Sequence, residues 1–180
     1  MFSVELLPDR ETERVVRAVW QHLADRGLPS QAGHRHETNR PHLTLGAADH
    51  LPPGARARLL HVLAGALPVP LCLDGLVRFS GRVQVLAWAV RPDDALLALH
   101  ETVWRVLRDA PDSGRPNPLL DPARWVPHIT LGRGRDAVWA VSAEELLSPT
   151  AGTPPCAVTG EWASARYYDS LTRTVGHLGP

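Results

Sequence analysis

The feature that most constrains this chain is a hexapeptide that occurs twice, half a chain apart: Pro41-His42-Leu43-Thr44-Leu45-Gly46 and Pro127-His128-Ile129-Thr130-Leu131-Gly132. Only Leu43 and Ile129 differ between the copies, and that exchange is conservative. Read as a β-strand, the pattern alternates. His42 and Thr44 point to one side, as do His128 and Thr130, while Leu43, Leu45, Ile129 and Leu131 point to the other. A strand of this kind lays its aliphatic face on a core and shows a polar pair on its free face. The proline restricts the entry to the strand, and the glycine ends or bends it. One His-x-Thr strand carries little information, because half-solvated strands are common. Packing alone rarely demands the same polar pair at two places, so the repetition points to chemistry.

The remaining chain supplies a mixed setting. A strand is expected over Phe2 to Leu7. A helix follows with Val15, Val16, Val19, Trp20 and Leu23 on its apolar stripe, stopped by Gly27 and Pro29. Residues 30–41, with His34, Arg35 and His36, read as a loop. Helices are expected over 54–66 and after Pro92, strands over Val69–Ser80 and Arg82–Val90, and a closing hairpin turning at Asp169-Ser170. A short helix over Ser142–Leu147 carries a Ser-x-x-Glu start. Strands, helices and hairpins mixed in this order predict an α+β fold in preference to a doubly wound parallel sheet. No linker is long enough to split residues 1–180 into independent domains.

Composition narrows the function classes. Net charge is zero, which argues against a binder of long duplexes. All basic side chains are arginine, a pattern that coding bias explains but that also suits phosphate recognition. No run approaches the ~18 apolar residues of a membrane span. The N-terminus lacks a basic region followed by a long apolar stretch, so a cytoplasmic monomer with no membrane association is expected. Cys72 and Cys156 lie far apart without metal-type spacing and are expected to be reduced.

Two imidazoles related by a pseudo-two-fold axis can face one phosphate. A histidine titrates near pH 6.5, so near neutrality one ring can act as base and the other as acid. One takes the proton of the attacking water or hydroxyl; the other protonates the departing oxygen. Each positioned transfer typically contributes about 10²–10⁴-fold. The threonine hydroxyls can donate to the non-bridging phosphate oxygens. This scheme requires neither metal nor cofactor.

The paired motifs resemble the signature of the 2H phosphoesterase superfamily, and the chain is most similar to its branch named for 2′-5′ RNA ligase and RNA 2′,3′-cyclic phosphodiesterase. The resemblance spans essentially the whole chain. It implies a bilobal fold, with two pseudo-symmetric lobes that each hold an antiparallel sheet and flanking helices around a central groove. It implies metal-independent opening of 2′,3′-cyclic phosphates on RNA ends or small nucleotides. The catalytic quartet would be His42, Thr44, His128 and Thr130, and Arg133 after the second motif would bind phosphate. The chain departs from the family after the first motif, where Ala47-Ala48-Asp49 stands.

Further candidates rest on position. Arg40 can reach phosphate or be solvated. Trp125 can stack on a base or belong to the core. Tyr167 and Tyr168 alternate faces, so at most one faces the groove, and Tyr168 is the candidate. His34, His36, His42 and His50 lack the spacing of a zinc site. Two alternatives stay open: 2′-5′ ligation or cleavage of RNA on the same groove, and a module that binds nucleotides or RNA ends without turnover. Nothing in the residue types distinguishes the acid histidine from the base.

Overall fold

The computed structural model describes residues 1–34, 36–135, 137–139 and 158–180. Arg35, Cys156 and the helix expected over Ser142–Leu147 lie outside the described residues. Seven strands and three α-helices alternate in the order β1 (Phe2–Pro8), α1 (Arg10–Asp25), β2 (Leu43–Ala48), α2 (Pro53–Ala66), β3 (Val69–Phe79), β4 (Gln84–Val90), α3 (Asp94–Arg108), β5 (His128–Gly134), β6 (Val158–Asp169) and β7 (Thr174–His177). The α+β reading holds, since every strand pair is antiparallel.

Local chemistry accounts for the elements. Asp9 caps α1, its carboxylate accepting from the Thr12 backbone N–H at 2.8 Å. Gly27 closes that helix with a φ of 70°, a conformation that costs glycine little. Asp93 caps α3 in the same way through the Leu96 N–H. Buried Val16, Val19, Trp20 and Leu23 from α1 and Leu96, Leu99, Val103 and Leu107 from α3 join Leu43, Leu45, Ile129 and Leu131 in one core. The aliphatic positions of both hexapeptides are therefore the anchors that alternation predicts.

The sheet runs β2-β1-β6-β3-β4-β5. Its two halves are continuous through β6, which carries β1 along one edge and β3 and β7 in succession along the other. The outermost strands, β2 and β5, come within reach of each other. The sheet thus curls and brings its two motif-bearing strands near each other.

Each hexapeptide carries a β-bulge at the same place. Thr44 pairs with Glu5 and Gly46 with Val4, which leaves Leu45 extra. Thr130 pairs with Ala87 and Gly132 with Leu86, which leaves Leu131 extra. A bulge reverses the alternation beyond it. Ala47, opposite Ser3, therefore shares a face with Thr44, and Arg133, opposite Val85, shares a face with Thr130. Glycine is required at the second bulge, because a Cβ on Gly132 would lie 2.1 Å from the Pro29 carbonyl oxygen.

His100 on α3 is buried, and its ring stacks on Trp125 with centroids 3.7 Å apart. Its Nε2–H donates to the Leu120 carbonyl at 3.1 Å. Burial pushes this imidazole down to about 4, although that carbonyl and the charges of Asp121 and Glu101 act in the opposite sense. Between pH about 6.5 and 4 the unfolded chain binds a proton that the folded chain refuses. Stability should therefore fall as pH is lowered through that window, by roughly 2–3 kcal/mol in total. Urea unfolding at pH 7 and pH 4.5 checks this: the loss should be present in the natural chain and much smaller in His100→Gln.

Candidate active site

Both histidines are held by the same local device. His42 Nδ1 lies 2.7 Å from the carbonyl of Arg40, and His128 Nδ1 lies 2.7 Å from the carbonyl of Val126. In each case the acceptor sits two residues upstream, across the proline. A carbonyl only accepts, so each Nδ1 carries a proton and each Nε2 is the atom left to give or take one. The repeated Pro-His pair thus fixes tautomer and ring orientation without help from another side chain.

The surroundings break this symmetry. Oε1 of Glu5 lies 3.8 Å from His42 Nε2. Glu5 is buried in β1 and pairs through Oε2 with Nε of buried Arg166 at 2.8 Å. It also accepts from Ser3 Oγ at 2.7 Å. Burial pushes its carboxyl upward, but His42, Arg166 and Ser3 together hold it below the usual carboxylate range. At His128, by contrast, the neighbour is Phe79, with ring centroids 4.6 Å apart. Burial pushes this imidazole below the ordinary histidine value; the Val126 carbonyl opposes that shift, and charge on His42 adds to it. The two rings are therefore close enough for charge on one to be felt at the other.

A cavity of about 420 Å³ opens beside these residues. His42, Thr130, Arg133, Arg40 and Tyr168 line it, as do Glu5, Arg166 and Arg173. Thr44, His128 and Trp125 do not line it. Arg133 is exposed, and no described residue pairs with its guanidinium. Arg40 is bound to Glu13, its Nη2 lying 2.5 Å from Oε2, so it enters the cavity already neutralised. Tyr168 stands opposite Ser3 on the cavity face, and Tyr167 turns away, its ring lying under Arg56.

Trp125 requires correction as a base-stacking candidate. One face of its ring is taken by His100, and its Nε1–H donates to the Thr44 carbonyl at 3.1 Å. Trp20 of α1 makes the counterpart bond, from Nε1–H to the Thr130 carbonyl at 3.0 Å. The motif strands are thus strapped in opposite directions, each by an indole from the other half. Trp139 adds a third such bond, to the Pro29 carbonyl at 2.8 Å.

Sequence reasoning missed Glu5, Arg166 and Phe79. A signal existed for the first two: Glu5 interrupts Val4-Leu6-Leu7, and Arg166 interrupts Ala165-Tyr167. A charge inside an apolar strand calls for a partner. His34 and His36 line the cavity, yet no group of three His, Cys, Asp or Glu side chains among the described residues is arranged to hold a metal ion. No described helix is long and apolar enough to cross a membrane.

A family model described as the 2′-5′ RNA ligase superfamily matches residues 8–169. The chain belongs to the 2′-5′ RNA ligase superfamily. Its fold is that of the 2H phosphoesterases. The crystal structure of E. coli LigT in apo form is similar over 98% of this chain and 91% of that one, at 20% identity and a TM-score of 0.53. A crystal structure described as a phosphoesterase is similar over 98% and 92%, at 18% identity and a TM-score of 0.56. E. coli LigT complexed with 3′-AMP gives a TM-score of 0.52 at 19% identity, over 98% and 92% of the chains. No curated protein matches the sequence.

Proposed function

We propose that the protein is a metal-independent 2′,3′-cyclic phosphodiesterase that opens cyclic phosphates on RNA ends or small nucleotides to 2′-phosphates. The observation that carries this reading is the matched pair of Nδ1–H bonds, which leaves both Nε2 atoms available for proton transfer. In this reading residues 1–180 act as one bilobal unit, working as a cytoplasmic monomer.

The asymmetry supports a division of roles. His128, whose protonation is disfavoured by burial and by charge on His42, is the base. It takes a proton from water as the water oxygen bonds to phosphorus. His42, whose Nε2 faces the Glu5 carboxylate at 3.8 Å, is the acid. It delivers its proton to O3′ as the P–O3′ bond breaks, leaving the phosphate on O2′. Thr44 and Thr130 donate to the non-bridging oxygens, and Arg133 offsets their charge.

The test is turnover of adenosine 2′,3′-cyclic phosphate as a function of pH, with EDTA present throughout. The profile of kcat/KM should be bell-shaped and report the coupled pair. Because His128 is depressed, its acid limb should lie below pH 6.5. Turnover that needs added metal would overturn the reading, and an acid limb at or above pH 6.5 would overturn the assignment of His128 as base.

A further inference from the structure

The two bulges make lobe symmetry testable position by position, and at one position it fails. Arg133 follows the second bulge and faces the cavity, whereas its counterpart after the first bulge is Ala47. The first half therefore offers no cation from its own motif strand. One arrives from elsewhere. Arg173, in the turn between β6 and β7, lines the same cavity. The strand register shows how it gets there. Ala47 pairs with Ser3 and Ser3 with Tyr168; Ala48 pairs with Phe2, Phe2 with Asp169, and Asp169 with Thr174. Arg173 thus sits just beyond the Ala47–Ala48 end of the cavity face.

Its position is built and does not depend on a loose loop. Asp169 accepts from the Leu171 N–H and the Thr172 hydroxyl, both at 2.9 Å. Ser170 donates its backbone N–H and its hydroxyl to the Met1 carbonyl, both at 3.0 Å. Arg173 itself adopts a φ of 56°, a left-handed conformation that disfavours any residue with a Cβ. Residues held in such conformations concentrate at ligand sites. The cavity's other arginines are matched: Arg40 by Glu13 and Arg166 by Glu5. Arg133 and Arg173 have no carboxylate partner among the described residues. Two unmatched guanidinium groups, from opposite halves, face a space large enough for a whole nucleotide.

We infer that Arg173 forms a second phosphate subsite, so that preferred ligands carry a phosphate on their 5′ side besides the one between the histidines. This rests on the phosphoesterase reading for the first phosphate only. Two sources share the chemistry: the 5′-monophosphate of a mononucleotide and the internal phosphodiester of an RNA end.

The experiment compares inert product-like probes by calorimetry at low salt: adenosine 2′-phosphate, adenosine 2′,5′-bisphosphate, and the dinucleotide ApA ending in a 2′-phosphate. The natural chain should bind at least one two-phosphate probe about tenfold more tightly than adenosine 2′-phosphate, as one charge-assisted contact allows. In Arg173→Gln that ratio should fall towards one. Preference for the bisphosphate assigns the subsite to mononucleotides, and preference for the dinucleotide assigns it to RNA ends. Equal affinities in the natural chain, or a ratio unchanged in Arg173→Gln, overturn the inference. Because the probes do not react, a chain that binds them with the expected ratio yet opens no cyclic phosphate would leave the subsite standing and remove the proposed activity.

Discussion

Replacing His128 by glutamine is expected to lower kcat for adenosine 2′,3′-cyclic phosphate by about 10²–10⁴-fold. Glutamine fills most of the space beside Phe79 and keeps a polar tip, but it cannot take the proton of the attacking water. KM should change little, because the lost interaction acts on the proton in transit and not on bound substrate. His42→Gln should cost a similar factor through loss of the proton donor. The double variant should be little worse than either single one, since groups that work as a unit do not add. Steady-state kinetics on the three variants, with circular dichroism to confirm folding, checks all of this. A His128→Gln enzyme within a few-fold of the natural rate would remove the assignment.

The second large effect concerns stability. Arg166→Met should destabilise the protein by about 3–5 kcal/mol, because it leaves the buried Glu5 carboxylate without its main partner. Arg166 also donates through Nη2 to the Thr38 carbonyl at 2.9 Å, so the 30–41 loop loses its tie to the sheet in the same variant. The double variant Glu5→Gln with Arg166→Met should recover much of the loss, since it buries no unpaired charge. Urea denaturation of both single variants and the double variant closes the cycle. If Arg166→Met costs under 1 kcal/mol, the pair is not the buried support for His42 described above.

These two sites differ in how far they could be read from residues alone. The hexapeptide declared its anchors, because period-two alternation is local and Leu43, Leu45, Ile129 and Leu131 are buried as expected. The α+β class followed from the order of elements. Asp9, Gly27 and the β6–β7 hairpin also announced themselves through short-range rules. The Glu5–Arg166 pair did not, because its members are brought together only when β1 lies against β6. The same holds for Arg40 with Glu13 and for Trp125 with Thr44, both pairings of the folded chain.

The bulges are an intermediate case. Gly46 and Gly132 signalled a bend, but not that the bend would reverse the alternation. Strict alternation would place Arg133 with Ile129 and Leu131 on the core side. The bulge turns it to the side of Thr130 and exposes it. The sequence-level asymmetry between Arg133 and Ala47 thereby acquires a spatial meaning, and the proposed Arg173 subsite rests on it.

The central claim is that two histidines, unaided by metal, open a cyclic phosphate towards the 2′ side. Phosphorus NMR of the product formed from adenosine 2′,3′-cyclic phosphate in EDTA tests it most directly. The account predicts a single new resonance, that of adenosine 2′-phosphate, lost in both His42→Gln and His128→Gln. It is contradicted if no product forms, if product forms only after metal is added, or if the 3′-phosphate is the product.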